Sequence, residues 1–199
     1  MMGEGRNVYR DVQDRAVIRT EDVYQMATEV GVEGYSDTLL SVVANFKNSG
    51  APEGFSAQSM VGRSKRGEVA LRLFAVIDPE TETFVRVGFK SRGCLAMTAC
   101  ASMVSMMLEG KTLDEALAIT HEDVARELDG VPSGKSYTAY FAAEAARALV
   151  GDYLVRQGAD RAQLDARVPC DEHGVACIMC EHCSLRDTRL ELLLQQAAR

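Results

Sequence analysis

The stretch EVALRLFAVIDPETETFVRVGFKSRGC, residues 68–94, decides the fold of this chain. Apolar residues alternate with other residues from Glu68 to Ile77 and again from Thr83 to Phe89, which is the pattern of half-buried strands. The inward faces would hold Val69, Leu71, Leu73, Ala75 and Ile77 in the first strand, and Val85, Val87 and Phe89 in the second. Because the segment between the strands is polar, we predict an antiparallel β-hairpin with one buried face.

Helical patterns follow the hairpin. Cys94 stands between the second strand and Leu95–Leu108, a segment that is apolar or small on nearly every side and is therefore predicted to be a buried helix. Thr112 and Thr120 each precede an acidic residue by three positions, the spacing of a capping box, and predict two short helices. A long helix is expected from Tyr137 to Gln157. Strands followed by helices predict an α+β fold in which a small antiparallel sheet packs against helices.

The chain is expected to have three parts. Residues 1–33 would form a helical N-terminal extension, residues 34–157 the α+β domain, and residues 158–199 a cysteine-rich C-terminal tail. Within the tail, helices are expected after Asp160 and after Ser184. The apolar side of the terminal helix would consist of Leu185, Leu190, Leu193 and Leu194.

Composition excludes two classes of partner and favours one compartment. With a net charge of −7, the chain lacks the basic excess needed to neutralise nucleic-acid phosphates. No apolar run is long enough for a membrane span, and the first residues lack a secretory hydrophobic region. We therefore expect a cytoplasmic protein whose partners are other proteins. Charge and hydropathy do not indicate an oligomeric state. In a reducing compartment its 6 cysteines favour metal or thiol chemistry over disulfides.

The tail carries the densest cysteine cluster. Its spacing is Cys170-x6-Cys177-x2-Cys180-x2-Cys183, and the last three thiols can converge on one centre because a turn separates each pair. This pattern predicts a metal site that uses all four cysteines. The triple Cys-x2-Cys spacing resembles that of 4Fe–4S cluster loops. Tetrahedral zinc, held by four cysteines or by three cysteines and either His173 or His182, is the competing interpretation.

Three segments in the middle of the chain resemble one known family. They are Phe89-Lys-Ser-Arg-Gly-Cys94, Glu109-Gly-Lys-Thr-Leu-Asp-Glu-Ala116 and Asp123-Val-Ala-Arg-Glu-Leu128. All three are similar to the N-terminal scaffold domain of the IscU/NifU family of iron–sulfur cluster assembly proteins, and the likeness extends over residues 35–153. The resemblance implies the same α+β fold that the strand and helix patterns predict.

The resemblance also implies a site, which this chain retains only in part. In the family, three cysteines, an aspartate and a histidine beside the third cysteine surround the nascent cluster. By the resemblance, Glu68 takes the place of the aspartate and Cys94 that of the second cysteine, so these two are the candidate cofactor-binding residues. Arg66, Tyr137 and Thr138 stand where the first cysteine, the histidine and the third cysteine are expected. Since arginine cannot coordinate a metal, this pocket is not expected to build a cluster as the family does.

Together these patterns favour a divergent iron–sulfur cluster assembly scaffold or carrier, with no enzymatic activity, whose metal is held mainly by the tail. The resemblance implies a cysteine desulfurase and recipient apoproteins as partners. The alternative is a non-catalytic interaction or regulatory module with structural zinc in the tail.

We also expect the two metal-relevant places to be separate. The long helix begins beside the inherited pocket around Glu68, Cys94 and Tyr137 and leads away from it. At about 1.5 Å per residue, it would carry the chain roughly 30 Å from that pocket before the tail starts. Cys100, six positions along the predicted helix from Cys94, is expected in the core.

Overall fold

The computed structural model describes residues 34–64, 67–169 and 182–198. Within these ranges, the strands are β1 (Ala57–Arg63), β2 (Val69–Asp78) and β3 (Thr83–Ser91), which form one antiparallel sheet in the order β1-β2-β3. The helices are α1 (Asp37–Ala44), α2 (Leu95–Leu108), α3 (Leu113–Leu117), α4 (His121–Glu127), α5 (Tyr137–Arg156), α6 (Arg161–Arg167) and α7 (Ser184–Ala197), with a 3₁₀ turn at Ser133–Lys135. The predicted α+β class is confirmed.

The hairpin and the helices that follow it lie where the sequence predicted them. Strands β2 and β3 pair through a polar turn, and α2 has the predicted bounds. Both capping boxes are present. The Thr112 and Thr120 hydroxyls each accept the backbone N–H three positions on, and in return the Glu115 and Asp123 carboxylates accept the backbone N–H of Thr112 and Thr120. Asp160 forms a third capping box, with Gln163, at the start of α6.

Strand β1 was not predicted. Its sequence, AQSMVGR, is short, contains a glycine and has few β-branched residues, so its intrinsic strand signal is weak. Tertiary contacts form it instead. One edge pairs with β2, where Val61 lies opposite Leu71, and Ser59 donates a buried hydrogen bond of 2.8 Å to the Ala145 carbonyl of α5.

One face of β3 was assigned wrongly. Val85 was expected inside, but its side chain is 59% exposed, whereas Phe84 is fully buried. The cause is a β-bulge: Val76 pairs with Arg86 but the next residue, Ile77, pairs with Phe84, so Val85 is an extra residue in β3. Because side chains alternate between faces, one extra residue reverses the assignment on one side of the bulge.

The terminal helix also differs from its predicted pattern. Leu185 is buried as expected, but Leu190 and Leu194 are exposed, and Arg189 is buried in their place with 3% exposure. The Arg189 guanidinium binds the Asp165 carboxylate of α6 at 2.7 Å and donates to the Val168 carbonyl. A buried arginine is tolerated here because it is paired and hydrogen-bonded.

The N-terminal extension and most of the cysteine cluster, including Cys170, Cys177 and Cys180, lie outside the described residues. The division of the chain at residues 33 and 157 stays a prediction. In the described part of the chain, no helix is both long and apolar enough to cross a membrane.

Candidate functional site

A cavity of about 740 Å³ opens where β3 meets the start of α2. We call it the Cys94 cavity. The residues on which its chemistry depends are Arg63, Glu68, Arg92, Cys94, Lys135 and Tyr137. The structure thus brings together Glu68, Cys94 and Tyr137, the three residues that the sequence placed in the inherited pocket.

Cys94 occupies the N-cap of α2, as predicted. Its backbone is extended, and its carbonyl accepts the N–H of Thr98 at 3.1 Å. The thiol makes no capping bond, and the first turn of α2 contains no acidic residue. Cys94 and Cys100 do not form a disulfide. The thiol therefore lies at the positive end of a helix, in a cavity wall.

Tyr137, at the start of α5, closes one side of the cavity. Burial raises the pKa of its hydroxyl, and the charge of a Cys94 thiolate and the hydrogen bond between the two side chains raise it further. Burial, and then the same thiolate, also raise the pKa of Tyr35. The Tyr137 ring packs edge-on against Phe141 at 5.6 Å between centroids. The protonated hydroxyls of Tyr35 and Tyr137 therefore lie near the Cys94 thiol, and that of Tyr137 is hydrogen-bonded to it.

Glu68, which the sequence resemblance assigns to the position of the family's aspartate, is already paired. Its carboxylate lies 2.5 Å from the Arg92 guanidinium, and both side chains are largely exposed. An exposed ion pair of this kind contributes little to the stability of the fold. The Arg92 guanidinium nevertheless offsets the negative charge of Glu68 that would be needed to bind a metal cation. Ser64 fixes the backbone here, since its hydroxyl accepts the Glu68 N–H at 3.2 Å and its own N–H donates to the Glu68 carbonyl at 2.7 Å.

Thr138, which the sequence resemblance assigns to the position of the family's third cysteine, is part of the core. Thr138 is fully buried, donates to the Lys135 carbonyl at 2.8 Å and lies 3.4 Å from the Cys100 sulfur. Burial raises the pKa of the Cys100 thiol to about 11. The prediction that Cys100 is a core residue is confirmed. Among the described residues, no group of three or more His, Cys, Asp or Glu side chains is arranged to hold a metal.

The end of the tail covers the free edge of β1. On that edge the Gln58 N–H donates to the Asp152 carboxylate at 2.8 Å, the Met60 N–H to the Ser184 hydroxyl at 3.0 Å, and the Gly62 N–H to the His182 carbonyl at 2.8 Å. Unpaired strand edges invite aggregation, and here α5 and the tail satisfy three successive outward N–H groups. The tail is thus an integral part of the sheet's edge.

The described part of the tail comes closer to the inherited pocket than the length of α5 suggested, whereas the separation of the tail metal site from that pocket stays a prediction. His182 lines a second cavity, of about 510 Å³, together with Glu68 and Arg92, and both of those residues also line the Cys94 cavity. The tail packs back against α5, as the contact between Leu185 and Gly151 shows. An added Cβ on Gly151 would lie only 2.5 Å from the Leu185 Cδ1. A helix that leads away from a pocket does not prevent the following segment from returning to it.

Cys183 is the one predicted metal ligand within the described residues. Its backbone forms an isolated antiparallel β-bridge with Val61 of β1. The residue is 9% exposed and belongs to the hydrophobic core. The assignments of Cys170, Cys177, Cys180 and Cys183 as metal ligands, and of Glu68 and Cys94 as cofactor-binding residues, stay predictions.

Sequence reasoning missed the cationic residues of the cavity. Arg63 ends β1, Arg92 follows β3 and Lys135 lies in the turn before α5, so three separate elements supply them. No spacing in the sequence connects these positions. Only Arg92, two residues before Cys94, could have been suspected from its place next to a candidate thiol.

This arrangement, a three-stranded antiparallel sheet covered by helices with a cysteine at a strand-to-helix junction, defines an α+β scaffold-type domain. The particular family follows from sequence: residues 34–160 match the family model for the NifU-like N terminal domain. The chain belongs to that family. The predicted resemblance to the IscU/NifU scaffold proteins is confirmed.

Curated relatives agree. The nitrogen fixation protein NifU of Azotobacter chroococcum mcd 1 is 35% identical over 119 residues, which are 60% of this chain and 38% of that protein. The iron–sulfur cluster assembly scaffold protein IscU of Aquifex aeolicus is 30% identical, with 68% of this chain and 84% of that protein covered. The corresponding IscU of Escherichia coli K12 is 31% identical, with coverages of 63% and 98%. The chain therefore spans well under half of the NifU relative but most of each IscU relative.

Among solved structures, the N-terminal part of a NifU-like protein from Brucella abortus aligns with 61% of this chain and 85% of its own, at 19% identity and a TM-score of 0.38.

Proposed function

We propose that this protein is an iron–sulfur cluster assembly scaffold or carrier that holds its cluster mainly through Cys170, Cys177, Cys180 and Cys183. One observation carries the proposal: in a member of this family, the inherited pocket retains a single thiol and a carboxylate that is already ion-paired. Clusters are held by several thiolates, and the tail supplies four in metal-binding spacing.

In this function the cluster is cargo and the protein is non-catalytic. A cysteine desulfurase would be its sulfur source, apoproteins its recipients and the cytoplasm its location. Relatives named as iron–sulfur cluster assembly scaffolds support the assembly role itself. The three closely spaced tail cysteines suit a 4Fe–4S cluster, because thiolate ligands on short spacings are typical of such loops. Support for a tail close to the domain comes from Cys183, which pairs with Val61 of β1, and from His182, which lines a cavity together with Glu68 and Arg92.

A second function is favoured by the environment of Cys183. A buried cysteine in a segment that pairs with Val61 of β1 suits a closed structural site better than a cluster that must be handed on. In this alternative the tail holds structural zinc, and the domain is an interaction or regulatory module that retains the scaffold fold.

Analysis of the full-length protein purified without oxygen separates the two functions. We expect brown protein that contains iron and acid-labile sulfide in near-equal amounts, with zinc below stoichiometry. Colourless protein with one zinc per chain and no sulfide would overturn the scaffold proposal in favour of the structural alternative. Iron, zinc and sulfide are measured on the same sample, so that mixed loading is recognised.

A further inference from the structure

We propose that the outer face of the β-sheet is a docking surface for an acidic protein. Three basic side chains define this face, Arg72 of β2 and Arg86 and Lys90 of β3, and we call it the cationic face. Buried leucine, valine and phenylalanine side chains occupy the alternate positions of the same strands, so the three basic residues lie on the side of the sheet away from the core. The proposed cluster site does not use this surface, and the inference holds whichever metal the tail binds.

The first observation is an excess of positive charge on the face. All three basic side chains are exposed, and none of them takes part in an ion pair with another residue of the described ranges. The three strands contain one acidic residue, Asp78, whose carboxylate accepts the Glu80 N–H and the Thr81 hydroxyl, both at 2.9 Å, in the adjoining turn. A chain with a net charge of −7 thus presents one sheet face on which positive charge prevails.

The second observation is that two of these charges repel each other in the free protein. Arg72 and Lys90 are directly opposite residues of β2 and β3. Like charges at opposite positions destabilise a sheet, whereas opposite charges stabilise it. The Lys90 ammonium lies 5.6 Å from the centroid of the Phe74 ring, a contact that holds its charge on this face. A carboxylate placed between Arg72 and Lys90 would turn the repulsion into attraction on both sides, so the face favours an anionic partner.

The side chains between the charges point to a protein rather than to a phosphate polymer. Phe55 is 36% exposed and packs edge-on against Phe74 at 5.2 Å between ring centroids. Val76, which lies opposite Arg86, is partly buried. Arginine beside aromatic side chains is typical of the residues that dominate binding at protein interfaces. Nucleic acid requires a larger array of cations and would be repelled by the negative charge of the whole chain.

The spacing of the charges defines what the partner must present. Arg86 and Lys90 are four residues apart on one strand, which separates them by about 13 Å at about 3.3 Å per residue. Arg72 widens the face beside Lys90. The partner therefore needs acidic side chains at that spacing around an apolar side chain that covers Phe55. Because Arg72 and Lys90 also border the second cavity together with His182, a docked protein would lie beside this residue of the tail.

Binding of a model acidic peptide tests the charge requirement. The probe is a fluorescein-labelled peptide in which Glu alternates with Leu and Phe, and its control peptide has Gln in place of every Glu. Fluorescence anisotropy with the full-length protein measures the dissociation constant of each peptide. We expect the Glu peptide to bind about tenfold more tightly than the Gln peptide, with an affinity that falls as salt is added. Equal affinities would overturn the proposal.

Variants show whether the peptide binds at the cationic face. Arg72→Gln/Arg86→Gln should weaken binding of the Glu peptide about tenfold, and Arg72→Lys/Arg86→Lys should retain most of the affinity because the charges remain. The control, Arg126→Gln/Arg161→Gln, removes the same charge from helices α4 and α6 and should leave the affinity nearly unchanged. The midpoint of urea unfolding should not fall in Arg72→Gln/Arg86→Gln, since a like-charge pair is removed. Peptide binding that this variant does not weaken would overturn the proposal.

Further titrations separate an acidic protein from other occupants of the face. Vesicles that contain phosphatidylserine and a DNA duplex are each compared with the Glu peptide, and sedimentation velocity measures self-association. Tighter binding of vesicles or DNA than of the peptide, lost in Arg72→Gln/Arg86→Gln, would replace the acidic protein by a membrane or nucleic acid. Self-association that this variant abolishes would replace it by a second copy of the chain. None of these measurements depends on metal in the tail, so a failure here is distinguishable from a failure of the scaffold proposal.

Discussion

Replacing Cys177 and Cys180 together with serine is expected to lower the metal content of the anaerobically purified protein by about tenfold or more, because a neutral hydroxyl does not replace a thiolate ligand. The fold should persist. The terminal helix is held by contacts that need no metal, namely the Arg189–Asp165 pair, the packing of Leu185 on Gly151 and the bond between Ser184 and Met60. Circular dichroism should therefore change little while bound metal is lost.

Cys100→Ala is the matched control for this experiment. It also removes a thiol, but one that is fully buried in the core and hydrogen-bonded to Thr138. We expect its metal content to equal that of the unmodified protein. Unchanged metal in the Cys177→Ser/Cys180→Ser variant would mean that the tail cysteines are not the ligands.

Gly62→Ala is expected to lower the free energy of unfolding by about 3 kcal/mol, the sum of a backbone cost and a packing cost. Gly62 has φ = +74°, in the left-handed region that side chains disfavour. An added Cβ would lie 2.3 Å from the Phe141 ring, inside contact distance. Relief requires that Phe141, which lines the Cys94 cavity, or the end of β1 move. Chemical denaturation of the metal-free protein measures the change.

Gly134→Ala is the control for that substitution. Gly134 has no atom within 4 Å of an added Cβ and does not have a positive φ. Its unfolding midpoint should match that of the unmodified protein or rise slightly, since alanine restricts the unfolded chain. Equal stability of the two variants would show that β1 does not approach α5 as closely as described.

The sequence predicted those elements whose signals are local. Strand β2, helix α2 and the capping boxes at Thr112 and Thr120 all follow from patterns within a few residues, and all are confirmed. What failed depends on distant contacts. Strand β1 is formed by its pairing with β2 and by bonds to α5 and the tail, and the bulge at Val85 depends on the register between two strands.

The residues of the candidate site also divide into those that local sequence signals predicted and those that depend on distant contacts. Cys94 was found because a strand-to-helix junction is visible in the sequence and because the family resemblance marks it. Lys135 and Arg63 were missed because only folding brings their elements to one cavity. The return of the tail was missed for a similar reason. Chain length gives an upper limit on separation, but the Arg189–Asp165 pair and the Gly151 contact decide the actual path.

The most direct test of where the cluster is held is the iron and acid-labile sulfide content of the Cys94→Ser variant, purified without oxygen beside the unmodified protein. Cys94 is the thiol of the inherited pocket, and no three potential metal ligands gather among the described residues around it. We predict iron and sulfide equal to those of the unmodified protein, because the tail cysteines remain. Loss of both in Cys94→Ser would contradict this, and would show that the inherited pocket itself holds the cluster or completes its ligand set.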